Sequence, residues 1–157
     1  MPPADSSPPQ RFSDHRIGLA EARQLWDELP PRVTYGAGAK THGRWITSDG
    51  TTRPMVSGRD DDARYAAKLL ADRGVKRTPM AVDHTETKIA ARMVRDGIAE
   101  ATVVINHQTC RGRPPFGYGC GDLLPVILPA GSRLTVWDYD EHGHPRGISY
   151  LGGASRQ

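Results

Sequence analysis

Residues 83–110, DHTETKIAARMVRDGIAEATVVINHQTC, decide the fold of this chain. A helix is expected to begin close to His84 and run through ETKIAARMVRDG. Ile89, Ala90, Met93 and Val94 fall on one face at helical spacing, and Gly97 supplies the stop. The next eight residues, 98–105 (IAEATVVI), are β-branched and end in a continuous apolar run, the pattern of a strand buried on both faces. A helix feeding a buried strand implies an α/β fold.

Outward from this unit, the sequence repeats the same grammar. On the C-terminal side, a short helix can start near Cys120 and carry GDLLPVIL, with Pro125 limiting its length. Residues 133–139 (RLTVWDY) alternate as a strand does, and 147–151 offer a last short one. On the N-terminal side, Asp60, Asp61 and Asp62 supply carboxylates for a helix through DARYAAKLLADRG. Its apolar positions are Ala63, Ala66, Ala67, Leu69 and Leu70, and it stops at Gly74. Residues 33–58 read as a β-hairpin, with RWIT (44–47), the turn signal Ser48-Asp49-Gly50 and TTR beyond it. Trp45 and Trp137, each on an expected strand, are expected to pack the core. Residues 17–29 are expected to form a short amphipathic helix ended by Pro30-Pro31.

Length and composition bound the rest. A chain of 157 residues with 37% hydrophobic content supports one core and not two. Four of the thirteen prolines lie in the first sixteen residues, so 1–16 read as a flexible arm and 17–157 as one domain. No apolar run approaches a bilayer span and no secretory pattern opens the chain, so a soluble unit without membrane association is expected. The net charge of +3, from 21 basic against 18 acidic residues, tilts mildly toward an anionic partner. Two cysteines are too few for a disulfide scaffold; they leave one bridge, two buried thiols or a pair of metal ligands.

His84-Thr85-Glu86 at one helix start and Cys110 with Cys120 around another make an ordered set. Hydrolytic deamination of an aromatic base needs a strong nucleophile at neutral pH. Zinc held by three ligands supplies one by lowering the pKa of its water to about 7. A carboxylate near the metal, yet not bound to it, must then carry protons. Zinc deaminases carry H-x-E followed by P-C-x-x-C. Here Thr109 stands in place of the proline, and nine residues, 111–119, separate the cysteines where two are usual. Helix N-termini favour thiolate over thiol, which suits metal binding.

With these motifs in view, residues 83–110 and CGDLLPVILPAGSRLTVW (120–137) resemble the bacterial polymorphic-toxin deaminases, in the group that includes the double-stranded DNA cytosine deaminase toxin. THGRWITSDG and SGRDDDARYAAKLL look like the upstream part of such domains. The resemblance implies a three-layer, cytidine deaminase-like fold with about five strands in a mixed sheet flanked by helices. It implies Zn2+ as cofactor on His84, Cys110 and Cys120, and Glu86 as proton shuttle. It further implies cytosine deamination in single- or double-stranded DNA, secretion with action in the cytoplasm of a target cell, and a neutralising immunity protein as partner.

Several residues carry a second reading. Arg111, Arg113, Phe116 and Tyr118, in the insert between the cysteines, combine cations with stacking rings, as expected where a base is held outside its stack; they equally suit a solvent-exposed loop. Asn106 could bond the base or sugar, or cap a strand end. His107 is a candidate pocket wall, or a fourth ligand closing a structural zinc site, with His42, His142 and His144 more distant. Tyr35 is a candidate pocket residue. Cys110 and Cys120 also fit a disulfide. The rival functions are therefore a deaminase of RNA or free nucleosides, and a non-catalytic nucleic-acid-binding module with structural zinc or a disulfide.

Overall fold

The computed structural model describes residues 18–32, 40–47, 50–75, 80–108, 112–113, 117–118, 120–140 and 142–153. The arm expected over 1–16 and the sequence at 33–39 lie outside them. Helix α1 (Leu19–Asp27) starts where the Glu21 carboxylate accepts from the Gly18 amide at 3.0 Å. Helix α2 (Asp61–Asp72) is capped by Asp60, whose Oδ1 accepts from the Ala63 amide at 3.0 Å, satisfying one donor that a helix start otherwise leaves unpaired. A 3-10 turn (Met80–Asp83) leads into helix α3 (Thr85–Asp96), with His84 at its N-cap. Gly97 ends α3 at φ 69°, the left-handed conformation that favours glycine, and lets Ile98 return its amide to the Met93 carbonyl at 2.9 Å.

Strands β1 (His42–Thr47) and β2 (Thr52–Val56) form the expected hairpin. Strand β3 (Glu100–Ile105) follows α3 and is buried over its last five residues. Strands β4 (Gly112–Arg113) and β5 (Gly117–Tyr118) pair with each other inside the insert. Helix α4 (Cys120–Ile127) contains Pro125 and runs for eight residues; β6 (Arg133–Tyr139) and β7 (Pro145–Leu151) follow. Two differences from the sequence reading stand out. Strand β7 begins at Pro145 and not Gly147, and the insert holds a small hairpin, whose two-residue strands are too short to display a period.

The main sheet has five strands in the order β2-β1-β3-β6-β7. Only β3 and β6 are parallel, from Glu100↔Arg133 to Val104↔Trp137; the other neighbours are antiparallel. A parallel pair requires a crossover, and α4 is that crossover. Alternation along the strands then sorts side chains into layers. Ala101, Val103 and Ile105 of β3, with Leu134 and Val136 of β6 and Trp45 of β1, pack against α2, α3 and α4. Val104 turns the other way, to Ala22 and Trp26 of α1, and half-buried Trp137 and Tyr139 join it there. Trp45 thus packs the main core, and Trp137 the smaller cluster behind the sheet. Over the described residues the fold is α/β in three layers, a mixed five-stranded sheet with four helices.

Both outer strands of the open sheet carry a proline, Pro54 in β2 and Pro145 in β7. Among the described residues no helix is long and apolar enough to cross a membrane.

Candidate active site

Helix α3 begins under unusually tight control. Gly43 on β1 has no side chain, and Thr85 occupies the space: a Cβ at position 43 would meet Thr85 Cγ2 at 2.8 Å. The Thr85 hydroxyl reaches the Thr41 carbonyl at 3.4 Å, and the Thr87 hydroxyl lies 2.5 Å from the Ala81 carbonyl and 2.9 Å from that of His84. Arg59 binds both carboxylate oxygens of Asp83, at 2.7 and 3.2 Å, a bidentate pair. Its guanidinium pKa is raised accordingly, by the hydrogen bond to Asp83 and then by that residue's charge.

One turn further on, Lys88 is 1% exposed and directs its ammonium to Asp60 at 2.7 Å and to the carbonyls of Val56 and Gly58 at 2.5 and 3.2 Å. An ammonium has three donors, and all three are matched. Burial pushes the Asp60 carboxyl up, but the hydrogen bonds from Lys88 and the Ala63 amide outweigh it, and its pKa is lowered. The sequence gives little sign of this lysine, because on a helical wheel it is an ordinary polar position; only the loop folded over it makes it buried.

This fixed start sets His84 and Glu86. His84 makes no capping bond to the helix; its Nδ1 lies 3.4 Å from Sγ of Cys120, the first residue of α4. Cys120 is fully buried and Glu86 is 3% exposed. His84 and Glu86 line a cavity of about 170 Å³ together with Thr41, Ser57, Ile105, His107 and Gln108. Hollows of about 310 and 370 Å³ lie elsewhere, but neither is lined by His84, Glu86 or Cys120, so chemistry and not volume identifies the site.

The donor pair can be tested against zinc. Bonds of about 2.3 Å to sulfur and 2.0–2.1 Å to nitrogen, at a tetrahedral angle, put the two donors about 3.5 Å apart. The observed 3.4 Å fits that spacing as well as it fits a thiol hydrogen bond. Among the described residues no three His, Cys, Asp or Glu side chains are grouped to hold a metal; Cys110, the third donor expected, lies outside them. Tyr35, Arg111 and Phe116 lie outside as well, and of Arg113 and Tyr118 only the backbone is described, on β4 and β5.

Asn106, 2% exposed, spends its side chain inside the protein. Its Oδ1 accepts from the His42 amide at 2.8 Å, and Nδ2 donates to the Pro30 and Pro31 carbonyls at 3.2 Å each. It ties the chain leaving α1 and the start of β1 to the end of β3, which matches the strand-end reading of this residue. His107 does line the cavity; its Nδ1 lies 2.9 Å from the Gln108 carbonyl, and since a carbonyl only accepts, that nitrogen carries a proton.

Two further groups near the site escape the sequence. Asp138, fully buried at the end of β6, is held by Arg146 across β7 at 2.8 and 3.2 Å. Tyr150 on β7 has its pKa pushed up to about 12, by burial first and then by the charges of Asp138, Glu86 and Cys120. Alternation along β6 and β7 hints that these side chains face the helical layer, but nothing in their type marks them as neighbours of His84, Glu86 and Cys120.

No curated protein matches the chain. A family model does match, that of the SCP1.201-like deaminases, over residues 19–154, which takes in helices α1 to α4, strands β1 to β7, and the residues His84, Glu86 and Cys120. The chain belongs to the SCP1.201-like deaminase family.

Proposed function

We propose that this deaminase domain converts cytosine in DNA to uracil, using zinc held by His84, Cys110 and Cys120, and that it serves as the toxic domain of a secreted bacterial protein. The observation that carries the reading is the approach of His84 Nδ1 to Cys120 Sγ, at 3.4 Å, beside a cavity lined by Glu86. When bound, zinc would supply a water acidified to a pKa of about 7.

Glu86 does the proton work. A carboxylate on the cavity wall takes one proton from the attacking water and gives it to the ring nitrogen, then takes the remaining hydroxyl proton of the addition product and gives it to the departing amine. A carbon–oxygen bond forms at C4, the bond from C4 to the exocyclic nitrogen breaks, and ammonia leaves. Burial of Glu86 keeps bulk water from competing for the relayed proton. The pinned start of α3 holds the carboxylate in place before substrate arrives, so little reorganisation is needed during reaction. Toxicity, secretion and a neutralising immunity protein rest on the resemblance described above.

The test is incubation of the zinc-loaded domain with matched single- and double-stranded oligonucleotides, with RNA and with cytidine, followed by uracil glycosylase and alkali for the DNA arms and by product mass for the others. Strand cleavage at former cytosines is expected. Product from RNA or cytidine alone would move the assignment to those substrates, and intact material in every arm would refute it.

A further inference from the structure

Behind the sheet, on the face away from α3 and α4, lies the hollow of about 310 Å³, lined by Arg23, Trp26, Asp27, Tyr139, Gly143 and Pro145. Its floor is aromatic. Trp26 stacks on Tyr139 with ring centroids 4.6 Å apart and meets Trp137 edge-on at 6.4 Å. The Arg32 guanidinium sits 5.2 Å above the Tyr139 ring, a cation–π contact that orients it in advance.

The place of this hollow matters more than its size. The Trp26 indole N–H donates to the Ile105 carbonyl at 2.7 Å, and Ile105 also lines the cavity that holds His84 and Glu86. Strands β3 and β6 are parallel, so their last residues, Ile105 and Tyr139, stand at the same edge of the sheet. Cavity and hollow therefore flank one sheet edge from opposite faces, with the end of β3 between them.

Two cations at the hollow are not tied to carboxylates, unlike several arginines elsewhere in the fold. Arg59, Arg133 and Arg146 are each matched to a carboxylate, Asp83, Glu100 and Asp138. Among the described residues, Arg23 and Arg32 form no ion pair, although Asp27 is nearby. Two guanidiniums without a carboxylate partner beside an aromatic floor suit an anion that offers two acceptor oxygens side by side, as the non-bridging oxygens of a phosphodiester do.

We infer that this hollow binds the phosphodiester backbone of the nucleic acid strand flanking the target base, with Arg23 and Arg32 as the phosphate contacts and Tyr139 as the platform that orients Arg32. The inference rests on the reading that the substrate is a nucleic acid polymer. A strand whose target base enters the cavity has to pass the sheet edge, and the hollow lies directly across that edge.

The experiment compares the zinc-loaded protein with the double variant Arg23→Ala/Arg32→Ala, and with Arg64→Ala/Lys68→Ala as a control that changes net charge equally on α2. Binding of a fluorescein-labelled single-stranded oligonucleotide is read by anisotropy across a salt series, and KM and kcat by the uracil cleavage assay. The expected result is a loss of affinity on the order of tenfold and a salt slope shallower by about 1.4, or 0.7 per phosphate contact removed. KM rises to match, kcat holds, and the control resembles the parent. Equal affinity and slope in parent and double variant, or an equal loss in the control, would overturn the inference. If the parent deaminates nothing yet binds the oligonucleotide through these arginines, the hollow stands and the catalytic reading falls.

Discussion

The two helix starts that meet at His84 and Cys120 are held by different forces. The start of α3 is fixed by polar contacts: the Arg59–Asp83 pair, the Thr85 and Thr87 hydroxyls, and the threefold grip of Lys88. Helix α4 is shorter, interrupted by Pro125, and anchored mainly by grease. Leu123, Leu124, Ile127 and Leu128 are each no more than 1% exposed, roughly 1.5–3 kcal/mol of burial apiece, while Arg73 satisfies the carbonyls of Val126 and Ile127 at its far end. Directional bonds place Glu86, the proton carrier of the proposed mechanism, at a defined angle. Non-directional packing suffices for the Cys120 sulfur, which in the proposed mechanism needs only to lie close to His84. The division teaches where precision is demanded.

That contrast can be broken from either side. The largest effect is expected at Glu86. Glu86→Gln keeps the shape of the side chain and removes its capacity to accept a proton, so kcat should fall on the order of 10²–10⁴-fold. Zinc content, measured by metal analysis, should hold, and loss of metal would show that Glu86 is a ligand instead. Next comes the greasy side: Leu124→Ala should cost about 2–5 kcal/mol in urea unfolding, because the cavity it leaves lies in the core beneath α4. A cost below 1 kcal/mol, on the order of a surface change, would mean that packing is not what anchors α4.

Gly43→Ala attacks the polar side by steric means. Its Cβ would meet Thr85 Cγ2 at 2.8 Å and the Val103 and Ile105 methyls at 3.2 and 3.3 Å. A loss of about 1–3 kcal/mol is expected, with a fall in activity larger than stability alone explains, since Thr85 neighbours both His84 and Glu86. Activity that follows the folded fraction would detach β1 from the site.

The smallest effect is a pH dependence. The Asp60 pKa is lowered in the folded state, so the carboxylate contributes stability above its unfolded value near about 3.9, and that contribution is lost as pH falls through the folded value. Its side chain is half exposed, which keeps the contribution small. Lys88→Met should flatten the acid limb of the stability curve, and an unchanged limb would separate Asp60 from the lysine.

Much of this was legible beforehand, and what was not has physical causes. The stretch 83–105 announces α3 and β3 because its apolar spacing switches from helical to continuous within a few residues, with Gly97 between. Asp60 announces α2 because a carboxylate before an amphipathic run has few better uses than a cap. His84, Glu86 and Cys120 could be picked out because their order along the chain mirrors their positions at helix starts. Lys88, Asp138 and Tyr150 could not. Their roles depend on what the loop after β2 and the last strand lay over them, and no local pattern encodes that. Asn106 was visible as a polar residue at a strand end, but its partners Pro30 and Pro31 lie more than seventy positions away.

The prolines at the two margins of the sheet have a consequence for how the molecule behaves in company. A bare β-edge invites another copy to dock and continue the ladder, the route to fibres. Pro54 and Pro145 each withhold an amide at such a margin, so a chain that unfolds and refolds has its self-templating seam interrupted on both sides.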